Sequence, residues 1–250
     1  MPLPWRRSSR AVVPGVYRIP LGTVNAYLLL EENGPVTVID TGPPGCAGQI
    51  VAALAGLGRT ATEVDAIVLT HAHLDHSGSA ADLRELTGAP VIAHPLDAGL
   101  LEGGETLREY TPAPSPLFRL LVKVLLRSSD SRMPPLRIDR TVGEGDELPY
   151  FGGLQVIHLP GHCAGQIGLV SPRHNGILLG GDVATTFAGL SWAIIYEDFQ
   201  VGLRSARRVG QLGVQVACLG HGAPIVRGAS QRFIRRFGPN DGASGPQSAQ

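Results

Sequence analysis

Apolar positions cluster in short runs over the first forty residues: Val16–Ile19, Asn25–Leu30 and Val36–Ile39, each rich in branched side chains and closed by Gly, Pro or Asn. Runs of this length predict strands, here an antiparallel meander. Between the breakers Gly42-Pro43-Pro44-Gly45 and Gly58, apolar residues recur at helical spacing and predict a short helix over Ile50–Leu57. Asp65–Thr70, DAIVLT, predicts a buried strand that runs directly into His71. Ser79 with Asp82 three residues later predicts a capping box opening a helix over Ala80–Leu86.

Pro90–His94 reads as a further strand, after which regular alternation is lost over residues 95–137. That insertion carries one clear helix, 117–127, apolar except at Arg119, Lys123 and Arg127, whose four-residue spacing draws a single cationic stripe. A surface so apolar must pack under a lid, against a second copy of the chain as a homodimer, or on a lipid surface. Strands resume at Leu154–Leu159, Ile167–Val170 and Gly176–Leu179, followed by a helix over Glu197–Leu212 and a strand over Val214–Leu219. Two strand-rich blocks, each followed by helices, predict an α/β fold with paired sheets and helices outside.

Composition narrows this picture. With 43% hydrophobic residues in 250, one domain over residues 1–237 can bury a sizeable core, and the Gly/Ser/Pro/Gln-rich residues 238–250 read as a flexible tail. Equal counts of 21 basic and 21 acidic residues leave no net charge, which argues against a nucleic-acid partner. Three cysteines, Cys46, Cys163 and Cys218, do not make a disulfide framework. Only Ala11–Val13 separate Arg10 from Pro14, too short for the apolar core of a secretory signal, and no apolar run approaches the roughly 20 residues that span a bilayer. The expectation is a cytoplasmic protein with no integral membrane span.

The chemistry is concentrated in His71-Ala72-His73-Leu74-Asp75-His76. In an extended segment residues i and i+2 share a face, so His71 and His73 can present imidazoles to one ion while Asp75 and His76 turn toward a second position. Three more strands end in small-residue loops bearing a ligand-type side chain: Pro160-Gly161-His162, Gly180-Gly181-Asp182 and Gly220-His221-Gly222. Histidine with carboxylate suits a divalent ion, zinc first, with iron or manganese also compatible. Asp40, at a strand end, is either an acceptor that orients a ligand imidazole or a turn cap. His158 and His174 read as structural; His94 is either structural or part of a substrate pocket, and Cys163 either a thiolate near the metals or a small buried filler.

Through Ile39-Asp40-Thr41-Gly42, Thr70–His76, Pro160-Gly161-His162, Gly181-Asp182 and Gly220-His221-Gly222, the chain resembles the metallo-β-lactamase superfamily, especially its glyoxalase II-like hydrolases, from about Val16 to Val226. The resemblance implies the αβ/βα sandwich of two mixed β-sheets flanked by helices. It implies one metal on His71, His73 and His162, a second on Asp75, His76 and His221, and Asp182 bridging both. Its implied activity is hydrolysis of an ester-like bond, in a thioester, lactone or related small and partly apolar substrate, by a metal-bridging hydroxide, with Asp75 and Asp40 in catalytic roles. Persulfide dioxygenases share the scaffold but use a single iron, which would sit on His71, His73 and His162. The tyrosine that lactonases carry soon after the bridging aspartate is replaced here by Val183-Ala184-Thr185-Thr186-Phe187; Tyr196 is the nearest downstream and a candidate proton donor.

Overall fold

A computed structural model describes residues 9–32, 34–125 and 132–238. The N-terminal meander consists of β1 (Arg10–Val13), β2 (Val16–Leu21), β3 (Val24–Leu30) and β4 (Val36–Ile39), all antiparallel. After α1 (Ala47–Gly56) the chain adds β5 (Val64–Val68) parallel to β4, then the single turn α2 (Leu74–Ser77), α3 (Ala80–Thr87) and β6 (Val91–Ala93) parallel to β5. The insertion holds α4 (Pro95–Glu102), β7 (Thr111–Pro112) and α5 (Pro116–Leu125), and β8 (Arg140–Thr141) closes the first sheet beside β6. The second sheet contains β9 (Glu147–Leu148), β10 (Leu154–His158), β11 (Ile167–Ser171) and β12 (Ile177–Leu179). β13 (Ile195–Tyr196) pairs with β7, and α6 (Phe199–Gln211), β14 (Val216–Cys218) and α7 (Ala229–Phe237) complete the chain, with β14 parallel to β12.

Side-chain alternation decides the layers. In β5, Ala66 and Val68 face the second sheet, packing with Ile39, Leu154, Val156, Leu169 and Ile177. Ile67 and Leu69 point the other way, onto Ile50 and Leu54 of α1 and Leu83 of α3. With both faces covered, DAIVLT needs no polar side, which is why it reads as a continuous apolar run. The outer face of the second sheet, through Ile157 and Leu178, packs on Ala206 and Val209 of α6 and Phe233 and Phe237 of α7. The result is the αβ/βα sandwich expected from the sequence.

Several details depart from the sequence-based expectation. Ser79 makes no cap; its Oγ accepts the Cys46 N–H at 2.8 Å and donates to the Pro43 carbonyl at 2.6 Å, tying down the Gly42–Gly45 turn. The insertion has a second helix, α4, because Pro95 occupies its first turn and the His94 ring nitrogen accepts the Leu96 N–H at 3.2 Å. On α5, Val122 is buried and Phe118 packs near Ala113 and Tyr196, whereas Leu117 and Leu120 stay 60% and 59% exposed. The final residues of the predicted helix, 126–127, and the predicted tail beyond Gly238 lie outside the described residues. Among the described residues no helix is long and apolar enough to cross a membrane.

Backbone approach sets the working edge. Gly161 has φ +124°, and a Cβ there would lie 2.1 Å from the Gly202 nitrogen. Gly202 in turn lies so close to Tyr196 that a Cβ would fall 2.4 Å from its ring. Gly161→Ala is expected to cost about 3 kcal/mol, roughly 6–12 °C in Tm, whereas Gly45→Ala, at φ +84° in open space, should cost only about 1 kcal/mol. Thermal melts of the two variants check both values.

Candidate metal centre

Parallel strands end at one edge, and there the candidate ligands gather. Asp40 follows β4, His71 follows β5, His162 follows β10, Asp182 follows β12 and His221 follows β14. The sheets are stitched together at this edge: the Ile167 N–H donates to the Thr70 carbonyl at 2.9 Å, and the Asn25 side chain donates to the Leu219 and Gly222 carbonyls at 3.0 and 2.8 Å. Loops from opposite layers are thereby held within reach of one centre.

His71, His73 and His162 form one group with ligand atoms within 4.8 Å of one another; His71, His76 and Asp182 form a second, and Asp75, His76 and His221 a third. All seven side chains singled out in the sequence therefore converge. His73 Nδ1 and His162 Nε2 lie 2.9 Å apart, and Asp182 reaches His76 at 3.4 Å, His162 at 3.5 Å and His221 at 3.1 Å. Asp75 lies 3.4 Å from His221 and, with its side chain 46% exposed, marks the open side.

In four of the five rings the nitrogen facing away from the centre is held by an acceptor. His162 Nδ1–H donates to the Ile195 carbonyl at 2.9 Å and His221 Nδ1–H to the Thr23 carbonyl at 2.8 Å. His76 Nδ1–H donates to Asp40 Oδ2 at 2.9 Å. Thr70 Oγ1 donates to the same Asp40 oxygen at 2.8 Å and lies 3.0 Å from His71 Nδ1, whose proton it accepts. In these four rings Nδ1 is tied to the outer partner and Nε2 is directed inward, the nitrogen that would ligate a cation. Asp40 adopts φ +58°, a conformation that Asp tolerates better than most residues, and it steadies His76 directly and His71 through Thr70.

Burial is severe for groups of this polarity. His71 Nε2, His73 Nε2, His76 Nε2 and Asp182 Oδ1 are buried with no hydrogen-bond partner. Unpaired polar atoms in protein interiors are costly, and a cation is the partner that satisfies inward-facing imidazole and carboxylate together. Burial, reinforced by the neighbouring imidazoles, holds His71 well below the usual histidine range, and burial brings His73 down to about 3. Burial also opposes charge on His76 and His221, but Asp182 and Asp75 outweigh it and raise them to about 9 and about 11. The three-histidine half is thus electrically neutral, while the carboxylates draw positive charge into the other half. A Cβ on Gly220 would lie 2.1 Å from Asp182 Oδ1, so only glycine leaves that oxygen its place.

Residues outside the cluster resolve the remaining alternatives. His94 is buried and stacks on His158 with ring centroids 4.4 Å apart, so it lies in packing rather than on a pocket wall. His158 donates to the Ala164 carbonyl and His174 to the Pro14 carbonyl, both structural as expected. Cys163 is buried, and burial beside Asp97 pushes its thiol well up, so it is a neutral filler. Tyr196 is 1% exposed, and its hydroxyl accepts the Ala193 N–H at 3.0 Å, with its ring centroid 6.0 Å from that of His162. Sequence reasoning missed Thr70 as a relay, Asp97 and Glu197, which touch the ligand loops from behind, and Arg108, which joins those two carboxylates. Asp97 lies in the insertion, where the sequence shows no regular pattern, and nothing in the sequence shows that its carboxylate accepts the Ala72 N–H.

Residues 19–221 match the metallo-beta-lactamase superfamily. The probable metallo-hydrolase YflN of Bacillus subtilis (strain 168) is 26% identical over 250 residues, covering 90% of this chain and 91% of that protein. The acyl-coenzyme A thioesterase MBLAC2 of Gallus gallus is 32% identical over 154 residues, covering 58% of this chain and 50% of that protein. Among solved structures, a metallo-beta-lactamase family protein from Thermus thermophilus superposes with a TM-score of 0.66 at 27% identity, over 90% of this chain and 79% of that one. Fold, order of motifs and matched span agree, and the chain belongs to the metallo-β-lactamase superfamily.

Proposed function

We propose that the protein is a dinuclear metal-dependent hydrolase of ester-like bonds, with thioesters of small, partly apolar acids as the leading substrate class. The observation that carries this reading is the set of inward atoms on His71, His76 and Asp182 that are buried without a hydrogen-bond partner, shared between imidazole and carboxylate. Two divalent cations, zinc foremost, would be held by His71, His73 and His162 and by Asp75, His76 and His221, with Asp182 between them. Cations so held polarise a carbonyl oxygen and bring the pKa of coordinated water from about 15.7 to about 7.

The chain's own residues do the rest. Asp40 keeps the His76 proton on Nδ1 and, through Thr70, the His71 proton on Nδ1, so neither ring can turn away. His221 and Asp75 face the open side, with Asp75 Oδ2 3.4 Å from His221 Nε2 and its half-exposed carboxylate within reach of an incoming water. Phe187, 61% exposed with its ring centroid 5.5 Å from that of His221, offers an apolar surface beside the reacting bond. Thioester is favoured within the ester-like class because a relative covering more than half of the chain is an acyl-coenzyme A thioesterase. The persulfide dioxygenase alternative uses the three-histidine group alone and gives no role to the convergence of Asp75, His76, Asp182 and His221.

His73→Ala and Asp75→Ala are each expected to reduce thioester hydrolysis to background while leaving the far-UV circular dichroism unchanged. Elemental analysis of the active wild-type protein should give about two ions per chain; one iron with oxygen consumption would favour the dioxygenase instead. Asp40→Asn, which keeps a side chain tolerant of positive φ but removes the charge, should weaken metal binding about 10–100-fold in a chelator competition.

A further inference from the structure

Two loops supply the three-histidine group, one from each sheet, and both are held from behind by carboxylates. Asp97, on α4, is 1% exposed, and its Oδ2 accepts the N–H of Ala72, the residue between His71 and His73, at 2.9 Å. Glu197, just after β13, accepts the N–H of Ala164, two residues past His162, at 2.9 Å. Its own N–H donates to the His162 carbonyl at 3.1 Å, and the nearby Ile195 carbonyl holds the His162 ring. Each carboxylate thus sets the backbone position of one ligand loop.

A single guanidinium joins them. Arg108, in the insertion between α4 and β7, brings one nitrogen, Nη1, to 3.0 Å from Asp97 Oδ1 and 3.1 Å from Glu197 Oε1, while Nη2 donates to the Leu96 carbonyl. Fit around the bridge is close, since a Cβ on Gly165 would lie 2.2 Å from the Asp97 carboxylate. Without the cation, two like charges would face each other across a largely desolvated gap and push the loops apart. His73 Nδ1 and His162 Nε2, 2.9 Å apart, come from those two loops, so their spacing depends on that gap.

We infer that Arg108 is a positioning residue: through Asp97 and Glu197 it sets the distance between the loop of His71 and His73 and the loop of His162. The insertion therefore braces the candidate metal centre from behind. This inference rests on the metal reading above, for it assigns Arg108 an effect on how a cation is held.

The test uses the full chain loaded with cobalt(II), whose visible absorption reports the geometry of its ligands. Arg108→Met should weaken cobalt binding about 10–100-fold and shift the absorption band, the size seen when groups behind metal ligands are lost. Arg108→Lys should restore the wild-type band and most of the affinity, because one nitrogen touches both carboxylates. If Arg108→Met does not fold, Glu197→Gln loosens one arm only and should move the same band in the same direction. Unchanged affinity and spectrum in Arg108→Met or Glu197→Gln, or a loss in Arg108→Met that Arg108→Lys does not restore, would overturn the assignment. Failure of the wild-type protein to bind cobalt would instead overturn the metal reading itself.

Discussion

One buried carboxylate organises the centre. Asp40 accepts from the Thr70 N–H and hydroxyl and from the His76 ring, and through Thr70 it reaches His71. Imidazole can present either nitrogen, and only an outside acceptor decides which one carries the proton. By taking protons on the outer side of two rings, Asp40 makes their inner nitrogens acceptors for a cation. The positive φ at Asp40 is the local conformational cost of putting that carboxylate there. The carbonyls of Ile195 and Thr23 do the same for His162 and His221 without a charge.

Fold and site are two consequences of the same strand geometry. Parallel strands β4 and β5 in one sheet, and β12 and β14 in the other, deliver their C-terminal loops to a common edge. Helices α1 and α3 cover one outer face and α6 and α7 the other, leaving that edge for chemistry. Polar groups there could not be buried among the central strands, where β5 and β12 carry aliphatic side chains on both faces.

Most of this was legible in the chain because it depends on local pattern. The meander, the buried run before His71 and the glycine-flanked ligands each carry their information within a few residues, and the two sheets appear where they indicate. What escaped depends on distant partners. Ser79 looks like a cap until the Gly42–Gly45 turn packs on it. α4 was missed because a proline and a histidine at its start resemble a break rather than a beginning. Asp97, Arg108 and Glu197 are spread over about a hundred residues and meet only once the insertion folds back.

The glycine at 220 separates two kinds of evolutionary freedom. Its missing side chain is the space occupied by an Asp182 oxygen, so a mutation that adds even one methyl group collides with the heart of the reaction centre. Leu117 and Leu120 of α5, by contrast, stand mostly exposed, where a substitution disturbs little packing. Positions of the first kind can change only together with the cluster they enclose, whereas those of the second are free to drift across a lineage.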